Sequence, residues 1–286
     1  MKSNNPPAFN WQAFIQAALQ EDIGSDDHTS QACIPEGVQG HARLLVKEAC
    51  ILAGVELAEM IFHHFDPEIK VNVILKDGSA VREGDIAFTV QGPDRHLLTA
   101  ERLVLNCMQR MSGVATLTHA YVEALEGTGV KVLDTRKTTP LLRALEKWAV
   151  QIGGGENHRF GLYDMIMIKD NHVDYAGGIS QAIERVKEYL EREKLHLKIE
   201  VETRNISEIQ EVLQAGGVDR IMLDNFRPEQ IPEAVELINK KAEIEVSGGI
   251  RLENIRTYAV PGVNYISVGA LTNGYHSPDM SLKAVR

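Results

Sequence analysis

Arg136 and Lys137, then His158 and Arg159, then Lys169 bring five cations into one stretch, Asp134 to His172, which reads DTRKTTPLLRALEKWAVQIGGGENHRFGLYDMIMIKDNH. Each cluster closes an apolar or glycine-marked segment, so a fold can aim them at one point. Guanidinium and ammonium groups that converge suit a ligand carrying several phosphate or carboxylate groups. Lys169 ends the apolar run MIMIK, where a lysine is costly unless an anion receives it. His158 and Arg159 offer one titratable and one permanent cation. The bland reading of Arg136 and Lys137 is a solvated loop with chance basic residues. Gly153 reads first as a helix C-cap, and Asp170, Asn171 and His172 as a cap for the segment that follows.

Acidic residues recur in a second set. Glu202 in EVET and Asp224 in MLDN end two strand-like runs, and carboxylates brought close repel unless a divalent cation or a sugar diol lies between them. Glu200 points to the same strand face, deeper, and reads as half of an internal ion pair. SGGI at Ser247 and SVGA at Ser267 can cradle a phosphate on backbone amides, although tight turns require glycine in any case. Arg102, in LLTAERLVLN, reads by pattern alone as a surface partner of Glu101 or another neighbour.

The elements that must position these groups are regular from Val130 onward. KVLD, MIMIKD, LKIEVE, RIMLD, EIEVS and NYISVGA alternate with helical segments, the rhythm of parallel strands joined by crossover helices. Asp134, Lys169, Glu202, Asp224, Ser247 and Gly269 each mark the C-terminal end of one strand. A closed or nearly closed β/α barrel converges these ends on one mouth; an open sheet would string them along an edge roughly 25 Å long. The convergence favours a barrel, although six strands fall short of eight. Before it, ARLLVKEA, VNVILK and AFTVQG with the helical GVELAEMIFHHF predict a small α+β domain. WQAFIQAAL predicts a short helix after a proline-bearing leader, with a polar loop, EDIGSDDHTS, behind it. HLLTAERLVLNCMQRMSGVATLTHAYVEAL predicts two long helices, or one kinked near Ser112 and Gly113.

Composition narrows the function classes. The 286 residues suffice for one large or two smaller domains, and a formal net charge of −10 argues against a nucleic-acid binder. Three widely spaced cysteines without a CxxC pair indicate neither a disulfide framework nor a zinc knuckle. No run approaches the roughly 18 apolar residues of a membrane span, and the start lacks signal-peptide order. A complete cytoplasmic protein is the expectation.

With DTRKTTP, EKWAVQIGGGENHR, IKDNH, EVET, MLDNF, SGGI and ISVGALT in order, and EDIGSDDHT and ERLVLNCMQRMSGVAT before them, the chain resembles the quinolinate phosphoribosyltransferase family over almost its whole length. That resemblance implies an N-terminal α/β sandwich with linking helices (1–113), an incomplete six-stranded β/α barrel (114–270) and a C-terminal segment (271–286) returning to the first domain. It implies transfer of phosphoribosyl from phosphoribosyl pyrophosphate to quinolinate with loss of CO₂, Mg²⁺ as cofactor, and a homodimer or assembly of dimers in which Arg102 reaches the partner's site. Thr135, Arg136, Lys137, His158, Arg159 and Lys169 are then expected to hold the carboxylates and phosphates, with Lys137 and Lys169 catalytic. Glu202 and Asp224 are expected at the ribose hydroxyls and Mg²⁺, through water, and as catalytic residues too. Ser247, Gly248, Gly249 and Gly269 are expected on the 5-phosphate. Two positions depart from the pattern: Asn273 stands where histidine is common, and Leu141 where glycine is common. A nicotinate phosphoribosyltransferase, an accessory protein of the related molybdate-transport-associated family and a generic phosphate-binding barrel are the competing readings.

Overall fold

A computed structural model describes residues 9–285. They form two compact units: residues 9–119, Pro140–Gly154 and 274–285 in one, Ala120–Thr139 and Gly155–Asn273 in the other.

In the first unit α1 (Trp11–Ile23) starts where the Asn10 side chain accepts from the Ala13 N–H at 3.0 Å. The polar stretch behind it, expected as a loop, contains a second helix, α2 (His28–Cys33). Asp27 makes that possible, accepting from both the amide and the hydroxyl of Ser30 and so satisfying an orphan helix donor. There follow β1 (Gln39–Val46), β2 (Cys50–Ile51), α3 (Val55–Phe65), β3 (Lys70–Val73), β4 (Ala80–Val81) and β5 (Ile86–Pro93). Ala42, Leu44 and Val46 alternate inward from β1, while Phe62 and Phe88 meet edge to face with centroids 6.1 Å apart.

Then α4 (Asp94–Ala124) runs 31 residues as one helix, with no break at Ser112 or Gly113. Glycine there serves close packing: a Cβ would lie 2.3 Å from the His276 carbonyl oxygen. Ser112 Oγ bonds the Ala53 backbone at 2.9 and 3.2 Å.

The second unit is built on β6 (Lys131–Leu133), after which α5 (Arg143–Ile152) belongs to the first unit. The chain continues through β7 (Ile166–Ile168), α6 (Asp170–Ala176), α7 (Ile179–Glu193), β8 (Ile199–Thr203), α8 (Ile206–Ala215), β9 (Arg220–Asp224), α9 (Ile231–Ile238), β10 (Glu243–Ser247), α10 (Ile255–Tyr258), β11 (Tyr265–Ser267) and α11 (Ala270–Asn273). All six strands are parallel, in the order β6-β11-β10-β9-β8-β7. The edges β6 and β7 are not paired with each other, so the barrel is incomplete and open on one side. Consecutive burial along β9 is what a strand covered on both faces requires. Finally β12 (Met280–Val285) pairs antiparallel with β1, giving the first unit a four-stranded sheet in the order β12-β1-β5-β3.

Among the described residues no helix is long and apolar enough to cross a membrane, and the three cysteines are free thiols.

Candidate active site

A cleft of about 770 Å³ opens at the C-terminal ends of the six strands. Thr135, Arg136, Lys137, His158, Arg159 and Lys169 line it together with Glu202, Asp224, Ser247, Gly248, Gly249 and Gly269. Arg102 is not among its lining residues; it lies exposed on α4, in the other unit, near the charge of Glu101.

The basic wall is assembled by backbone pairing. Glu156 bridges alongside Leu133, with the Glu156 N–H donating to Val132 at 2.8 Å, so the run after the triple glycine extends the β6 edge. This brings the His158 amide to the fully buried Asp134, whose Oδ1 accepts it at 2.8 Å. Asp134 is therefore a scaffold residue. Gly153 and Gly154 are structural as well. Gly153 caps α5 and leaves no room for a Cβ beside the Ala115 carbonyl (2.4 Å), and Gly154 takes a φ of +91. Arg159 reaches the Met165 carbonyl at 3.2 Å, and burial followed by the neighbouring Arg136 lowers its pKa, though a guanidinium stays charged. Lys137 lies across Gly269, where a Cβ would come within 3.1 Å of its side chain, and its carbonyl accepts from Thr272 Oγ1 at 2.9 Å. His172 caps α6 by accepting the Lys169 N–H at 2.9 Å.

On the opposite wall Lys169 Nζ sits 2.5 Å from Glu202 Oε2. Burial, then the charge of Glu202, pushes the Asp224 pKa upward, as neighbouring carboxylates do. A cation between them relieves that repulsion, so this pair fits a divalent metal with oxygen ligands. Ser247 to Gly249 form the adjacent turn, with φ of +96 at Gly248 and +63 at Gly249. Asn254 clamps it, accepting from the Arg251 amide at 2.8 Å and donating to the Gly249 carbonyl at 3.1 Å.

Beneath the cleft lies a charged layer, buried at its centre and partly open at Glu243. His158 Nε2 is 3.0 Å from Glu200 and 3.4 Å from Glu245; both glutamates are fully buried. Arg220 binds Glu245 at 2.9 Å and Glu243 at 3.1 Å, with its guanidinium 4.1 Å from the Tyr265 ring centre. Burial alone would lower the His158 pKa, but the two carboxylates raise it to about 9; burial and Glu245 raise that of Glu200. The Arg159 N–H donates to His158 Nδ1 at 2.7 Å, which favours the ring with its proton on Nε2. Both effects favour holding a proton between His158 and Glu200. His158, Glu200 and Glu245 carry metal-type ligand atoms within 4.8 Å of one another, but Arg220 already supplies the cation.

Met167, Met222 and Glu245 also line the cleft and were not singled out in the sequence. Each lies two residues before a strand-end residue that was, namely Lys169, Asp224 and Ser247, as Ser267, read in SVGA, lies before Gly269. Period-two alternation places such pairs on one strand face, so the signal was present. Asn225, Arg251 and Asn273 line the mouth as well.

The family description "Quinolinate phosphoribosyl transferase, N-terminal domain" matches residues 27–112, and its C-terminal counterpart matches residues 114–283. A curated Nicotiana tabacum protein, quinolinate phosphoribosyltransferase [decarboxylating] 1b, is 46% identical, covering 97% of this chain and 83% of that protein. A probable nicotinate-nucleotide pyrophosphorylase [carboxylating] of Methanocaldococcus jannaschii is 42% identical, covering 95% of this chain and 96% of that protein. The crystal structure of NadC from Streptococcus pyogenes superimposes with a TM-score of 0.91 at 40% identity over 99% of both chains. The human nicotinic acid phosphoribosyltransferase, 12% identical with a TM-score of 0.63, shares the fold alone. Both domains, in order and over nearly the full length, place this chain in the quinolinate phosphoribosyltransferase family.

Proposed function

We propose that this protein transfers phosphoribosyl from phosphoribosyl pyrophosphate to quinolinate and decarboxylates the product to nicotinate mononucleotide, releasing pyrophosphate and CO₂. The observation that carries this reading is one cleft with a wall of Arg136, Lys137, His158 and Arg159 facing an acidic pair beside a glycine turn. Two carboxylates on a flat ring fit the basic wall and the Met167 and Met222 surfaces. A phosphorylated sugar fits the acidic pair and the turn.

Chemistry follows from charge. The ring nitrogen attacks C1 of the ribose as pyrophosphate departs; Glu202 and Asp224 favour positive charge building on the sugar, and Lys137 and Lys169 the negative charge leaving it. In the second step the 2-carboxylate leaves as CO₂, its electron pair remains on C2 beside the cationic nitrogen, and a proton then adds there. Arg136, Arg159 and the protonated His158–Glu200 pair hold the ring. Glu202 and Asp224 would hold Mg²⁺, through water, which when bound neutralises pyrophosphate charge. Arg102 completes the basic wall from a second subunit of a homodimer, and the enzyme works in the cytoplasm.

The test is purified protein with phosphoribosyl pyrophosphate, Mg²⁺ and either quinolinate or nicotinate, following nucleotide and CO₂. CO₂ and nucleotide only with quinolinate supports the reading. Turnover of nicotinate instead, or of neither, refutes it.

A further inference from the structure

We propose that Asn225 is a positioning residue that locks the acidic pair and the phosphate turn into one unit, so that the sugar and its 5-phosphate are gripped together. The inference rests on the reading of the cleft as a phosphoribosyl pyrophosphate site. Asn225 is the residue after β9, and it connects to both halves. Its Nδ2 donates to Asp224 Oδ2 at 2.7 Å, and its backbone N–H donates to the Ser247 carbonyl at 2.8 Å. Its Oδ1 then faces Gly248, where a Cβ would stand only 2.3 Å away. The amide orientation is fixed chemically, because a carboxylate oxygen can only accept from an NH₂ group.

The backbone is arranged for this bridge. Asn225 holds a φ of +55, a left-handed conformation that asparagine tolerates better than most residues. Register adds the last constraint: Asp224 and Ser247 are direct partners in the β9–β10 ladder, so one side chain just past the ladder spans both. The Nδ2 bond fixes one carboxylate oxygen of Asp224 and leaves the other for the ligand. The Oδ1 contact requires glycine at 248 and sets how far that turn approaches the mouth.

Two variants separate positioning from packing. Asn225→Gly removes the side chain and accepts the positive φ without strain. Asn225→Asp keeps size and Oδ1 but replaces the donor with a second oxygen 2.7 Å from Asp224. Binding of phosphoribosyl pyrophosphate with Mg²⁺ is measured by calorimetry, and of quinolinate separately, with the thermal midpoint as a control on folding. A bond to a charged group justifies an expected loss of about tenfold or more in phosphoribosyl pyrophosphate affinity for Asn225→Gly. Asn225→Asp should lose more than Asn225→Gly, while quinolinate affinity changes less than about twofold in either. A pure packing role predicts the reverse order, with the near-isosteric aspartate closest to wild type, and that order overturns the proposal. Unchanged sugar-phosphate affinity in Asn225→Gly, or parallel loss of both ligands with a fallen midpoint, overturns it as well. Because binding is read directly, a wild-type protein that binds phosphoribosyl pyrophosphate without consuming quinolinate overturns the proposed reaction and leaves this inference measurable. Wild-type protein that does not bind it overturns both.

Discussion

Arg220→Met tests the layer of buried charge that carries His158. In the native protein the Arg220 guanidinium contacts Glu245 at 2.9 Å and Glu243 at 3.1 Å, and Glu245 has no access to water. Methionine fills similar volume but leaves Glu245 and Glu200 sharing His158 as their near cation. Removing one member of a buried ion pair costs about 3–5 kcal/mol, chiefly by stranding the other charge. At about 2–4 °C per kcal/mol for a chain of this size class, the thermal midpoint should fall by roughly 6–20 °C. Adding Glu245→Gln removes the stranded charge and should recover about half of the loss or more.

The same layer sets a pH dependence. The folded-state pKa of His158, about 9, lies above the ordinary 6.5, so its contribution to stability is complete below about pH 6.5 and is lost as pH rises through 9. Glu245→Gln weakens the cause of that rise and should flatten the decline between those values. Urea denaturation followed by circular dichroism at several pH values, with calorimetric midpoints, measures both effects. An Arg220→Met protein within about 1 kcal/mol of wild type, or a double variant no more stable than the single one, would refute the account of a charge-balanced layer.

Other perturbations address single parts of the site. Arg136→Ala should lower kcat/KM for quinolinate by about 10- to 100-fold or more, the worth of a charge-assisted bond to a carboxylate, and steady-state kinetics with near-normal values would remove Arg136 from that role. Mixing Arg102→Ala subunits with Lys169→Ala subunits should restore one complete site in each verified heterodimer, and no recovery of activity would exclude action across the interface. Gly248→Ala combines a φ of +96 with a Cβ 2.3 Å from Asn225 Oδ1, so phosphoribosyl pyrophosphate affinity should collapse while quinolinate binding persists, as calorimetry would show. Leu141 sits at a φ of +65 and 88% exposed, and Leu141→Gly should raise stability by about 0.5–1 kcal/mol in denaturation, because relief of left-handed strain exceeds the entropy glycine adds to the unfolded chain.

Local chemistry made much of this protein legible from residues alone. Strand runs and turn signals have short periods, so the alternation of six strands with helices could be read directly, as could the polar residue ending each strand. The cleft gathers five of those six residues, Lys169, Glu202, Asp224, Ser247 and Gly269, because parallel crossovers bring every C-terminal end to one side, while the sixth, Asp134, is buried as scaffold. Glu200 was readable as an internal partner for the same reason: it lies two residues below Glu202 on one strand face. Where a local signal had two meanings, the reading was weaker. Gly113 signalled a break in α4, but its lack of a side chain serves a close approach to His276 inside a continuous helix.

What tertiary structure decided are relations between strands, which no single stretch of sequence contains. Register sets Arg220 opposite both Glu200 and Glu243, and Asp224 opposite Ser247. From those pairings follow the buried charge layer under His158 and the bridge made by Asn225. A one-residue slip would send each of these side chains to the other face of the sheet, so residues unremarkable in sequence gain their partners only after the ladder forms. The sequence determined which groups could do chemistry and at which strand ends they stand. Folding decided which of them share a proton, which repel, and which are held still.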